Sequence, residues 1–128
     1  MGTVVNVLHW TIRISGTLLV LLGIAIWTGR AAAIVPLHEF LGFVLVLSLW
    51  ALAFFAARAG VPRGMVAAAV AWGVIAPILG LTQANLLTNN WHWTIQVLHL
   101  LVGLAMIGTG EGLFQRMRRR GAPAAKAA

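Results

Sequence analysis

Four long apolar runs separated by short polar breaks constrain this chain of 128 residues more than any other feature. A helix needs roughly 20 apolar residues to cross the hydrocarbon core of a bilayer. We therefore predict an all-α protein, an integral membrane four-helix bundle. Its helices are expected at about residues 4–28, 34–57, 64–87 and 91–114.

The breaks between the runs contain residues that favour turns. Gly29 and Pro36 separate the first two runs, residues 60–64 the second pair, and residues 88–90 the third pair. Loops this short place neighbouring helices antiparallel, which predicts an up-down-up-down topology. The chain is expected to divide into a four-transmembrane-helix domain, residues 1–116, and a basic cytoplasmic tail, residues 117–128.

Composition excludes two broad classes of protein. Apolar residues make up 61% of the chain and charged residues 9%, with a mean hydropathy of +0.95. Soluble domains carry about a quarter charged residues, and disordered chains are poorly hydrophobic. A soluble globular enzyme and a disordered chain are therefore excluded. The absence of cysteine excludes disulfides, thiolate metal sites, iron–sulfur clusters and a cysteine nucleophile.

The net charge of +7 is concentrated at one side of the predicted bundle. If the N-terminus is cytoplasmic, eight of the nine basic residues lie inside and only Arg30 lies outside. The positive-inside rule thus predicts both termini in the cytoplasm, in a bacterial-type inner membrane. The basic residues after the fourth run indicate topology first and contact with anionic lipid second, and not binding to nucleic acid. Because apolar character begins at Val4, well before Arg13, we expect an uncleaved first helix rather than a signal peptide.

The strongest local pattern is a repeated His-x-x-x-Gly. It occurs as His38 with Gly42 in the second predicted helix and as His99 with Gly103 in the fourth. Residues four apart share one helix face, so each glycine opens the face that carries the histidine. Both helices are expected to enter from the outer side, which brings the two histidines to similar depth. Polar residues within a membrane are costly, which makes this pair a candidate site.

The pair has the elements that one bis-histidine haem b needs. His38 and His99 would bind the iron, while Gly42 and Gly103 would let the macrocycle approach the backbone. We expect its walls to come from four large side chains: Phe40, Phe43, Trp72 and Leu100. Contacts to the haem propionates, or to a quinone, are expected from the polar residues of the outer half: His92, Gln96, Gln83, Asn85 and Arg30.

Other interpretations of these residues stay open. His38 and His99 are also compatible with helix-packing histidines that hydrogen-bond across the bundle, or, together with Glu39, with a zinc or copper site. In the inner half, His9 and Arg13 are expected to extend to the headgroups, and Glu111 to pair with Arg13 or with the region of Arg116. Because that half offers no second histidine on another helix, we expect a single haem.

With its four-helix layout and its two His-x-x-x-Gly positions, the chain resembles the small four-helix b-type cytochromes of bacterial membranes, a group that includes superoxide oxidase. The resemblance implies haem b at His38 and His99. It also implies one-electron transfer between the quinone pool and a donor or acceptor at the outer face. The chain is shorter than those proteins, which commonly carry two haems, whereas it has ligands for one.

Two further function classes stay open. The first is a non-redox accessory subunit that packs, as a helical bundle, against a larger membrane complex. The second is a small transporter or channel that works as a homodimer, although the first helix has no acidic residue of the kind small multidrug transporters use. The sequence assigns no residue a catalytic role, and whether the protein is an enzyme is left open.

Overall fold

A computed structural model describes residues 2–29 and 32–121 of the chain. These residues form four α-helices: α1 (Thr3–Trp27), α2 (Val35–Arg58), α3 (Arg63–Thr82) and α4 (His92–Gly121). Short 3-10 turns precede α2, at Ala32–Ile34, and follow α3, at Gln83–Asn85. Each of the four helices is long and apolar enough to cross a membrane. The predicted all-α architecture of four membrane-length helices is confirmed.

The helices pack around a shared core. α1 and α3 each contact both α2 and α4, and α2 also contacts α4. Leu49, Leu52 and Leu113 are fully buried, and Ile12 and Met106 are nearly so. Many large apolar side chains point outward from the bundle instead, among them Leu21, Phe54 and Leu101. Such a surface is typical of helices whose surroundings are as apolar as their core.

The turn between α2 and α3 closes where the sequence predicts a break. Gly60 has a φ of +75°, its N–H donates to Ala57, and the N–H of Val61 donates to Ala56. This pair of hydrogen bonds is the Schellman motif, which needs a left-handed residue and therefore favours glycine. Val61 is buried, and Pro62 leads directly into α3.

The third helix is shorter than hydropathy alone predicts. α3 ends at Thr82 rather than near residue 87, and a 3-10 turn and extended chain follow. Leu86 and Leu87 are apolar, so composition does not register the end of the helix, although Leu87 adopts a positive φ of 45°. The side-chain oxygen of Asn89 accepts the backbone N–H of Trp91, which forms the turn that precedes α4.

The fourth helix is longer than predicted. α4 continues past residue 114 to Gly121, so the first residues of the predicted tail are helical. The extension carries Arg118, Arg119 and Arg120. Arginine is a good helix former and cations are favourable near a helix C-terminus, so these residues favour the additional turns. Residues 122–128, which include Lys126, lie outside the described residues.

Candidate functional site

A cavity of about 440 Å³ lies at one end of the bundle and receives side chains from all four helices. Its walls come from the C-terminal parts of α1 and α3 and the N-terminal parts of α2 and α4. Pockets that hold cofactors and small molecules have volumes in this range. The lining includes both histidines of the repeated pattern and the glycine that follows each of them: His38, Gly42, His99 and Gly103.

His38 and His99 face each other across this cavity. Their ring centroids are 6.2 Å apart, and the ring planes are inclined by 51°. Nδ1 of each ring is buried and has no hydrogen-bond partner. Nε2 of neither ring makes a hydrogen bond to the described part of the chain, and both residues line the cavity. The two histidines therefore do not form the cross-bundle hydrogen bond of the packing interpretation.

The ring separation suits two imidazoles that share one metal ion. When each ring binds through a metal–nitrogen bond of about 2 Å from opposite sides, the ring centroids lie about 6 Å apart. A zinc or copper ion would need further strong ligands. Across residues 2–29 and 32–121, no group of three or more histidine, cysteine, aspartate or glutamate side chains could hold a metal.

The glycines at the site have two different roles. A Cβ built on Gly42 or Gly103 would meet no atom within 4 Å, so both leave open space at the cavity wall. Gly23 of α1 and Gly80 of α3, which the sequence analysis did not assign to the site, pack against the rings. A Cβ on Gly23 would lie 3.4 Å from Cε1 of His38, and one on Gly80 would lie 3.0 Å from Cε1 of His99.

The polar residues predicted near the site are only partly brought together. His92, Gln96 and Gln83 line the cavity. Nδ1 of His92 lies 3.0 Å from the carbonyl oxygen of Leu86, which ties the start of α4 to the chain before it. Asn85 is exposed and is not among the lining residues, and Arg30 lies outside the described residues.

The predicted walls are also partly realised. Phe43 and Leu100 line the cavity. Phe40 is 64% exposed and does not line it, since its position in α2 points away from the other helices. Trp72 packs against the core instead. The remaining apolar lining includes side chains from helices that the sequence did not connect to the site, such as Leu19 of α1.

A second polar cluster lies beyond the floor of the cavity. Nε2 of His9 in α1 lies 2.8 Å from Oε2 of Glu111 in α4, and the His9 ring stacks on Phe114 at 3.6 Å. Gln115 donates to the other carboxylate oxygen at 3.2 Å, and Nε of Arg13 lies 4.0 Å from Oε2. The expectation that His9 extends to the headgroups is wrong, because its side chain is buried against Phe114 and Glu111.

Replacing Glu111 with alanine removes the acceptor of this buried histidine. We expect a loss of about 1 kcal/mol in the free energy of unfolding, the usual size for an unpaired buried donor between membrane helices. Unfolding of the detergent-solubilised chain by increasing SDS, followed by circular dichroism, measures it. The control is Gln115→Ala, which leaves the His9–Glu111 bond in place. Equal stability of the two variants would contradict a stabilising role for that bond.

The fold and the site define a class: a protein of four membrane-length helices with a cavity that holds two facing, unpartnered histidines. The comparisons with known proteins add no family to this description. No protein-family model, no curated protein and no solved structure matches the chain.

Proposed function

We propose that the chain is a b-type haem protein that transfers single electrons within a membrane. The observation that carries the proposal is the pair of imidazoles of His38 and His99, whose ring centroids lie 6.2 Å apart and which line one shared cavity. Nδ1 of each ring is buried without a partner, which is costly in a membrane, and a metal bond would use a free ring nitrogen. One haem per chain is proposed, because the His9–Glu111 pair offers no second bis-histidine site.

The residues around the pair would give the site its properties. His38 and His99 would hold the iron from two helices, and the open space at Gly42 and Gly103 would admit the macrocycle. Bound haem supplies reversible one-electron chemistry, with a potential that depends on its ligands and its burial. Apolar side chains such as Leu100 and Phe43 line the cavity and would surround the macrocycle.

We further propose that electrons are exchanged with the quinone pool at the cavity end of the bundle. Gln83, Gln96 and His92 line the cavity and provide donors and acceptors for quinone carbonyls or haem propionates. The excess of arginine at the opposite end favours an up-down-up-down bundle with both termini in the cytoplasm of a bacterial-type cell. The cavity would then open toward the outer face of the inner membrane.

A reduced-minus-oxidised absorbance spectrum of the purified protein, with a pyridine haemochrome assay, tests the proposal. Expression with ample haem is expected to give sharp α and Soret bands and about one haem b per chain. Added quinol is expected to reduce this haem. A colourless protein of native helix content would overturn the haem proposal, and co-purification with a larger complex would then favour an accessory subunit.

A further inference from the structure

Four arginines meet at the end of the bundle opposite the cavity. Arg58 is the last residue of α2 and Arg63 is the first of α3, while Arg116 and Arg120 lie one turn apart on α4. We call these four residues the arginine cluster. The cavity is lined by the N-terminal parts of α2 and α4 and the C-terminal part of α3, so the cluster and the cavity occupy opposite ends of the same helices.

The end of α4 packs against the turn between α2 and α3. Nη1 of Arg120 lies 3.2 Å from the position of a Cβ built on Gly60, in the turn between α2 and α3. Gly112 lies two turns before Arg120 on the same face of α4. A Cβ built on Gly112 would lie 2.9 Å from Cε of Met65 in α3. Residues 112, 116 and 120 are spaced by four, so the face that carries Arg116 and Arg120 is the one that meets α3 and its preceding turn.

Among the residues that the structure describes, the cluster has no acidic partner. The chain contains only two acidic residues, Glu39 and Glu111. Glu39 lines the cavity at the other end, and Glu111 is bound by His9. Within the described ranges, the only carboxylate contacts of basic side chains are those of His9 and Arg13 to Glu111. An anion at this end of the bundle would supply the countercharge that the described residues lack.

The cluster also borders the apolar surface of the bundle. The guanidinium of Arg58 lies 5.8 Å from the ring centre of Phe54, one turn back along α2, and Phe54 is exposed. The charge therefore lies next to a side chain that faces the surroundings of the bundle. α4, with its 30 residues, is about 45 Å long, so its last turns extend beyond a hydrocarbon core of about 30 Å. With the start of α4 at the opposite edge of that core, Arg116 and Arg120 would lie at the depth of lipid headgroups.

We propose that the arginine cluster binds the phosphate group of an anionic phospholipid between the end of α4 and the α2–α3 turn. Guanidinium groups match phosphate oxygens in a bidentate geometry, which favours phosphate over a diffuse attraction to charge. The acyl chains of the lipid would lie along exposed apolar side chains such as Phe54. This adjacency of charge and apolar surface favours a lipid over a soluble phosphate. The site is independent of haem binding.

Native mass spectrometry of the full chain in detergent, titrated with phosphatidylglycerol or phosphatidylcholine, tests the proposal. Phosphatidylglycerol is expected to bind at least about tenfold more tightly, and Arg120→Gln is expected to weaken its binding about fivefold. The matched control is Arg118→Gln, which removes the same charge about 200° around α4 from Arg120. It is expected to leave the affinity within about twofold, because surface changes away from a contact have small effects.

Two results would overturn the proposal. Equal weakening by Arg118→Gln and Arg120→Gln would mean that the lipid responds to net charge alone. Displacement of phosphatidylglycerol by millimolar inorganic phosphate, with the phosphate itself retained, would assign the cluster to a soluble anion. Arg120→Lys keeps the positive charge but removes the planar guanidinium group that can bind phosphate in a bidentate geometry. It is expected to weaken binding as well, and it provides the same test if the glutamine variant does not fold.

Discussion

Replacing either His38 or His99 with alanine is expected to abolish the low-spin haem spectrum of the purified protein. Both imidazoles line the cavity, and their ring centroids lie 6.2 Å apart. A haem that loses either axial ligand no longer has the bis-histidine coordination on which the low-spin state rests. The measurement is the reduced absorbance spectrum together with the haem content per chain, after expression with ample haem.

His92→Ala is the matched control for these two variants. His92 lines the same cavity, but its Nδ1 is already engaged with the carbonyl oxygen of Leu86. Its loss is expected to leave the low-spin spectrum in place. Full low-spin spectra in both His38→Ala and His99→Ala would contradict the ligand assignment, and so would equal loss of haem in all three variants.

The number and type of the helices could be predicted because the length and hydrophobicity of the apolar runs determine both. A run of some twenty apolar residues between polar breaks has few alternatives to a membrane-length helix. Gly60 and Pro62 fixed the turn between α2 and α3 through local backbone geometry alone. The ends of α3 and α4 were less predictable. Hydropathy does not distinguish an apolar loop such as Leu86 and Leu87 from helix, or an arginine-rich helix from a tail.

The two histidines of the site could be proposed because the signal lies within single helices. The spacing of four residues places His38 with Gly42, and His99 with Gly103, on one face each. Gly23 and Gly80 carry no such signal, because their contacts with the rings depend on which faces of α1 and α3 turn toward the neighbouring helices. The spacing of residues shows which side chains share one face of a helix. It does not show how the neighbouring helix is rotated about its own axis.

The His9–Glu111 bond illustrates the same limit. The two residues are 102 positions apart and lie on the first and last helices. Their charges alone suggested that His9 would extend to the headgroups, which is wrong, and that Glu111 would pair with Arg13 or the region of Arg116; Arg13 does lie 4.0 Å from its carboxylate. The stacking of His9 on Phe114 decides the outcome, since it holds the ring between α1 and α4 within reach of the carboxylate. Such a contact follows from packing and not from composition.

Replacing Gly42 or Gly103 with leucine is expected to lower the haem content at least about tenfold while the bundle stays folded. Neither position has an atom within 4 Å of a built Cβ, so a larger side chain enters the cavity without displacing protein. The leucine would occupy space that a flat cofactor needs between the two histidines. Overpacking of this kind costs about 1–3 kcal/mol, and a cost of about 1.4 kcal/mol already weakens binding tenfold.

Gly108→Leu is the control that separates a filled cavity from a general effect of leucine on a glycine. Gly108 also lies in α4 and is likewise free of contacts within 4 Å of a built Cβ, but it is not among the residues that line the cavity. Haem content per chain, helix content and elution from a sizing column are to be measured for all three variants. A cofactor that lies against Gly42 and Gly103 would collide with a leucine side chain at either position. Haem contents of Gly42→Leu and Gly103→Leu equal to that of Gly108→Leu would therefore contradict this placement of the cofactor.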